Sequence, residues 1–463
     1  MDEIKKIEAS LQIPAITPEF AEIMDNKDVL SPFRSEFNIP LARDVIKKAA
    51  EKLSEDEITD LLKGIDNEKD CVYMSGNSLG LQPKKAMTRV EELMTSWGKY
   101  CSYMLPVYIP GDEPLREYMQ NIVGAKSGEV VLMNTLTVNL NLGMITFYQP
   151  KGNRNKILIE PKSFPSDFYT FESHIKLHGL NPENSLLIMK PREGEDTLRT
   201  EDILATIEKE GDNIALIMMG GVQYYTGQIF DMEKITKAGH NKGCYVGFNL
   251  AHAAGNIPLE LHKWGVDVAC WCTYKYLNGG PGGIGGFFVH ERHAECFEFP
   301  RLNGWWGHEP DTRFLMDNKL VLQKGAPGFA LSNPDMLSLA CMSASLDIFQ
   351  RASITEIRNK SILLTGYLEY LLIEGFNDDP KYKGVLEIIT PRDVEQRGAQ
   401  LSIKSIHSKA IKDCLKLRGT AVDYRHPNVL RAAPVPLYTR FIDVLEFYYS
   451  VKEVISKELE TKI

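Results

Sequence analysis

The chain has 463 residues, 43% of them hydrophobic and 25% charged, with a formal net charge of −9. That length allows a large core and more than one domain, and those proportions exclude a disordered chain, a collagen-like fibre and a coiled coil. The acidic balance, with no basic run interleaved with aromatics, argues against a nucleic-acid partner.

The start, "MDEIKKIEASLQIP", is charged and helical in rhythm and lacks the apolar run of a signal peptide. No stretch reaches the length of a membrane span. Eight cysteines lack disulfide-framework spacing, so a reducing, cytoplasmic setting is expected. The one-residue spacing of Cys270 and Cys272 is weak evidence for a metal, and no metal site is expected. Pro14, Pro18, Pro32 and Pro40 break the first seventy residues into helical pieces. These read as an N-terminal arm or part of a small domain (1–70).

From Cys71 the texture changes. Short apolar runs recur as "VVLMN", "KILIE", "SLLIM", "NIALIMM", "CYVGFNL", "VDVACWC" and "GGFFVH". Between most of them lie amphipathic stretches such as "TVNLNLGMITFY" and "TEDILATIEKEG". This alternation predicts an α/β domain (71–310) with a mostly parallel, seven-stranded sheet sandwiched by helices. After about residue 310 a long helical segment precedes a few strand-like pieces and a final helix. A second, smaller α+β domain (311–463) is expected there.

Three places can carry chemistry. In "WCTYKYLNGGPGGIGG", Lys275 ends a buried strand, where open α/β sheets place ligands and where desolvation makes an amine nucleophilic. In "VVLMNTLTVNLNLG", a strand runs into a helix through Thr135, Leu136 and Thr137, offering free amides to an anion. In "CYVGFNLAHAAGN", Asn249 ends a strand and His252 follows three residues later. Asp167 in "FPSD" can cap a helix or face a ligand. Each has a plain structural alternative: a snorkelling lysine, a routine N-cap, or a turn amide. In this order, however, a phosphate turn, polar strand ends and a lysine suit pyridoxal 5′-phosphate.

The stretches "GNSLGLQP", "LTVNL", "FPSD", "MKPREGE", "KGCYVGF", "CWCTYKYLN", "GWWGHE" and "SNP" resemble the kynureninase family over nearly the whole chain. The resemblance implies a fold type I, PLP-dependent transferase-like architecture and a homodimer. It implies hydrolysis of kynurenine or 3-hydroxykynurenine to an anthranilate plus alanine, in tryptophan catabolism toward NAD. Lys275 would be the Schiff-base lysine, with Tyr274 beside the cofactor phosphate. Leu136 and Thr137 would contact phosphate and ring, and Phe164, Asp167, Gly220, Asn249 and His252 would surround the ring. Tyr225 and Trp305 would help close the pocket, partly across the dimer interface. Asn333 would contact cofactor and substrate, with Trp306 and Asn77 also at the substrate. Arg431 in "VLRAAP" would clamp the α-carboxylate, as arginine does bidentately.

Several positions depart from the family pattern. Asn249 replaces an aspartate that pairs with the ring nitrogen, and an amide cannot hold a pyridinium charge. Gly220 replaces a cofactor-contacting serine, Gln223 a histidine and Ala330 an arginine. The segment Trp97 to Glu113, before and around Gly111, is short and lacks a substrate-contacting histidine. These departures predict weakened contacts to the ring and the substrate. The alternative they raise is a relative that binds PLP with weak, lost or altered activity. A cysteine desulfurase would need a cysteine on a mobile loop, whereas Cys414 lies on an expected helix.

Overall fold

The computed structural model describes residues 1–104, 110–377 and 380–460. It divides into two compact units: Lys85–Tyr224 with Ile229–Gln350, and Met1–Lys84 with Tyr225–Gln228 and Arg351–Ile463.

The first of these is built on a seven-stranded sheet. Its strands are β1 (Val130–Met133), β2 (Lys156–Ile159), β3 (Leu186–Ile188), β4 (Ile214–Gly220), β5 (Tyr245–Asn249), β6 (Val268–Trp271) and β7 (Gly285–Val289). The spatial order is β1-β7-β6-β5-β4-β2-β3. All pairs are parallel except those of β7, which runs antiparallel to both β1 and β6. Most strands are continuous apolar runs because helices cover the faces of the sheet, while the edge strand β3 stays partly exposed. Helix α1 (Leu136–Phe147) follows β1, and helix α2 (Pro165–Leu177) follows β2. Their inward residues, such as Leu140, Met144, Phe147, Phe171 and Ile175, join Val131, Ile157 and Phe287 in one core.

The second unit holds a four-stranded antiparallel sheet. Its strands are β8 (Glu387–Ile388), β9 (Leu401–Lys404), β10 (Asp423–Arg425) and β11 (Val429–Ala432), in the order β8-β9-β11-β10. Helices Ile354–Asn377 and Phe441–Glu460 pack on it, and Ile4, Phe20 and Met24 join their core. The α+β character matches the expectation.

The boundaries differ from 70/71 and 310/311, for identifiable reasons. Val72–Tyr73 pairs in parallel with Thr420–Ala421, which ties the chain up to Lys84 to the second unit. Phe329 and Ala330 enter the core of the first unit beside Phe287, which keeps residues to Gln350 there. Among the described residues no helix is long and apolar enough to cross a membrane.

One steric constraint fixes the centre of the sheet. Trp271 is fully buried and lies opposite Gly286 across the β6–β7 pair. A Cβ on Gly286 would come within 2.1 Å of the indole ring. Gly286→Ala therefore overpacks this site and is expected to lower stability by about 1–3 kcal/mol. Urea unfolding measures this as a lower midpoint, and an unchanged midpoint would contradict the constraint.

Candidate active site

The carboxyl ends of β2, β4 and β5, the start of α1 and the turn after β6 line one cleft, wholly within the first unit. Ligands gather at such strand ends because diverging loops leave a crevice there. Strand β6 stops at Trp271, so Lys275 sits in the following turn rather than on the strand. The Asn278 N–H donates to the Lys275 carbonyl at 3.0 Å, and the Gly279 N–H to Thr273 at 2.8 Å. A Cβ on Gly283 would fall 2.8 Å from the Gly279 carbonyl oxygen, so the loop closes this tightly only with glycine there.

Lys275 Nζ lies 3.1 Å from His252 Nε2. It stands 5.9 Å from the Phe164 ring centre and 5.8 Å from that of Tyr274. Phe164 meets Tyr224 edge-on at 5.3 Å, making one aromatic wall. Burial raises the Tyr274 phenol above its ordinary pKa, with the neighbouring Cys272 adding to the effect, and so keeps it a neutral hydroxyl. On another side, Thr135 is the N-cap of α1 but makes no side-chain capping bond. The first-turn amides of α1 are thus available to an anion. Thr137 Oγ1 and Ser166 Oγ, 2.7 Å apart, join the starts of α1 and α2.

Two carboxyl groups are buried in the cleft wall. The Asp167 carboxylate accepts from Asn249 Nδ2 at 2.6 Å, and Asn249 Oδ1 accepts from the Ala251 N–H at 2.9 Å. Burial pushes Asp167 up to about 6, against the opposing pull of the Asn249 bond and the Lys275 charge. Glu160 accepts from the Gly220 N–H at 3.2 Å, and burial, reinforced by Asp167, pushes it up to about 7. A Cβ on Gly220 would stand 3.4 Å from Glu160 Oε1, so glycine leaves that oxygen uncovered by a side chain. An amine, an uncapped helix start and buried acids together fit a phosphorylated aldehyde cofactor.

Of the expected cofactor residues, Leu136, Thr137, Phe164, Asp167, Gly220, Asn249, His252, Tyr274 and Lys275 line this cleft. Others are elsewhere. Trp305 is half-exposed in a separate depression with His308 and Arg313. Trp306, expected at the substrate, is instead a buried core residue whose ring lies 4.2 Å from the Arg313 guanidinium. Asn333 does not line the cleft. Ala330 is buried apolar packing, and Gln223 donates to the carbonyls of Pro161 and Lys162.

Tyr225, Asn77 and Arg431 belong to the second unit. Tyr225 is buried there, and its carbonyl accepts from Ser402. Residues 105–109 of the shortened segment lie outside the described residues. The sequence reading missed Glu160, Ser166 and Tyr224 as cleft residues. For Glu160 the signal was present: it ends the run "KILIE", a carboxylate at the carboxyl end of a buried strand.

The kynureninase C-terminal domain family matches residues 357–450. The kynureninases of Mus musculus and Homo sapiens are each 49% identical to this chain, covering 96% of it and 95% of their own length. That of Koribacter versatilis is 47% identical, covering 93% of this chain and 96% of its own. Among solved structures, the apo cysteine desulfurase of Thermococcus onnurineus NA1 superposes with a TM-score of 0.68 at 16% identity, covering 91% of this chain and 99% of its own. The Escherichia coli desulfurase CsdA gives 0.68 at 16% identity, covering 92% of this chain and 98% of its own. At that identity the likeness shows the fold alone. Cys414 lies within helix Ser408–Lys416, as expected.

The raised carboxyl groups give the unliganded protein a pH signature. Folding disfavours the charged forms of Glu160 and Asp167, so the native state binds more protons than the unfolded chain between about pH 4 and 7. Stability is therefore expected to fall as pH rises through that window and to level off above it. Glu160→Gln removes the upper part of the decline and is expected to raise stability at pH 7.5 by about 1–3 kcal/mol. Urea unfolding across pH 4–8 tests this, and parallel curves for the two proteins would refute it.

Proposed function

The chain belongs to the kynureninase family and is a pyridoxal-phosphate enzyme that hydrolyses kynurenine in the kynurenine pathway, and we propose that Lys275 is the residue that carries the reaction. The observation that supports this assignment is an amine in a glycine-closed turn, 3.1 Å from an imidazole, in a cleft that two buried acids also line. The bound cofactor supplies an electron sink for the pair released at the substrate α-carbon. The start of α1, with Thr135, Thr137 and Ser166, would hold the phosphate through amides and hydroxyls. Phe164 and Tyr224 form an aromatic wall on one side of the cleft.

Lys275 Nζ takes the substrate α-proton and returns protons later, with His252 Nε2 as its exchange partner. Water adds to the γ-carbonyl carbon and the Cβ–Cγ bond breaks. The aryl fragment leaves as the benzoic acid, and Cβ is protonated to give alanine. Arg431 holds the α-carboxylate, the role for which a guanidinium fork is suited. Asn249, at the position the family pattern gives to aspartate, is anchored at both ends of its amide, with the Asp167 carboxyl one hydrogen bond away.

A homodimer is supported by exposed apolar faces. The helix Lys84–Tyr100 exposes Met87, Met94 and Trp97 at helical spacing, and Phe314, Leu315 and Met316 form a second exposed cluster. Unpaired cysteines support a cytoplasmic location.

Incubation with pyridoxal phosphate and 3-hydroxykynurenine is expected to release 3-hydroxyanthranilate. Lys275→Ala is expected to lower kcat at least ~10³-fold and to abolish the borohydride-stable mass adduct at this lysine. A wild type that forms the adduct but releases no product would favour the cofactor-binding relative with lost or altered chemistry. Asn249→Asp supplies a charge to the ring nitrogen and is expected to raise kcat about tenfold, equivalent to part of one charge-assisted hydrogen bond. In light scattering after size exclusion, the wild type is expected at twice the 52.3 kDa chain mass and Trp97→Glu/Phe314→Glu at a lower average mass. A monomeric wild type would rule the dimer out.

A further inference from the structure

The second unit contains a buried polar array that the chemistry described so far uses at only one point. Arg431 lies on β11, directly opposite Asp423 on β10 and Ser402 on β9. Directly opposed residues of antiparallel strands share a sheet face, so the three side chains stand in a row. Arg431 is 1% exposed. Its Nη2 donates to Asp423 Oδ2 and, at 3.0 Å, to Ser78 Oγ. Ser78 Oγ in turn donates to Asp423 Oδ2 at 2.6 Å.

The triangle closes because serine can accept from the arginine and donate to the carboxylate at once. Arg425 adds a further donor to the same oxygen at 3.0 Å. The neighbouring residue of the same loop, Asn77, donates to Gln400 Oε1 at 2.8 Å, and Gln400 donates to Ser402 Oγ at 3.0 Å. One short loop, "GNSLG", thus ties down both ends of the row.

We propose that Asp423, with Ser78, is a positioning residue that fixes the Arg431 guanidinium for recognition of the substrate α-carboxylate. The proposal rests on the reading of Arg431 as the carboxylate partner. The physical argument is orientational. Arginine has four rotatable side-chain torsions, and a planar fork binds a carboxylate well only when its plane is set beforehand. Asp423 and Ser78 engage the same terminal nitrogen, Nη2, and so fix the plane and the rotation of the group.

The test is steady-state kinetics of the holoenzyme with 3-hydroxykynurenine, together with product inhibition. Asp423→Asn is expected to raise KM about tenfold with kcat changed less than about threefold, since the contact acts on binding. Inhibition by alanine, which carries the α-carboxylate, weakens in step, whereas inhibition by 3-hydroxyanthranilate does not. Ser78→Ala, a milder change, is expected to raise KM about threefold and serves if Asp423→Asn fails to fold. In an Arg431→Lys background, Asp423→Asn should add nothing further to KM, because both act through one group.

A lowered melting temperature with unchanged KM and alanine inhibition would make Asp423 purely structural and overturn the proposal. A lowered KM would mean that Asp423 competes with the substrate, which also overturns it. If Arg431→Lys itself leaves KM and alanine inhibition unchanged, the assignment of Arg431 has failed. That outcome is distinct from an effect of Arg431→Lys without one of Asp423→Asn.

Discussion

The cleft is organised by the burial of two acids near one amine. Glu160 and Asp167 sit at a strand end and a helix start from which water is largely excluded, so their charged forms are costly. The Gly220 N–H opposes that cost at Glu160, and the Asn249 amide and the Lys275 charge oppose it at Asp167. Burial outweighs those contacts and raises both carboxyl groups, Glu160 to about 7 and Asp167 to about 6. Two glycines shape the cleft: Gly220 leaves Glu160 Oε1 without a side chain over it, and Gly283 lets the lysine turn close.

The scaffold does not select this chemistry. Cysteine desulfurases at 16% identity share the fold, so strand order and crossover helices are compatible with different reactions. What separates them here is side chains. Cys414 is held within a helix, while amine, imidazole, aromatic wall and acids converge at the strand ends. Asn249 is held in one orientation. Its amide is anchored by the Ala251 N–H and by Asp167, so the position keeps its shape and a carboxyl remains one hydrogen bond away.

Much of the first unit was legible from the chain alone. Continuous apolar runs separated by amphipathic segments leave little alternative to a covered parallel sheet. Part of the cleft lining was legible, since Leu136, Thr137, Asp167, Asn249 and Lys275 all stand at or just beyond strand ends or at helix starts. Trp306 stands away from the cleft for a physical reason. A tryptophan beside a glycine reads the same whether it meets a ligand or, as here, an arginine in the core. Glu160 was passed over because a single acid after an apolar run gives no hint of how deeply it will be buried.

The sequence by itself determined the alternation of strands and helices, the lysine before a glycine loop, the helix-start amides and the kynureninase resemblance. These follow from local periodicity and residue chemistry, which neighbours along the chain suffice to express. Only the tertiary structure decided that residues 1–84 share a core with the C-terminal segment. It alone also set Glu160 and Asp167 at pKa values of about 7 and 6, and closed Arg431 into a triangle with Ser78 and Asp423. Each of those depends on groups brought together from distant parts of the chain, and burial and hydrogen-bond geometry exist only once that has happened.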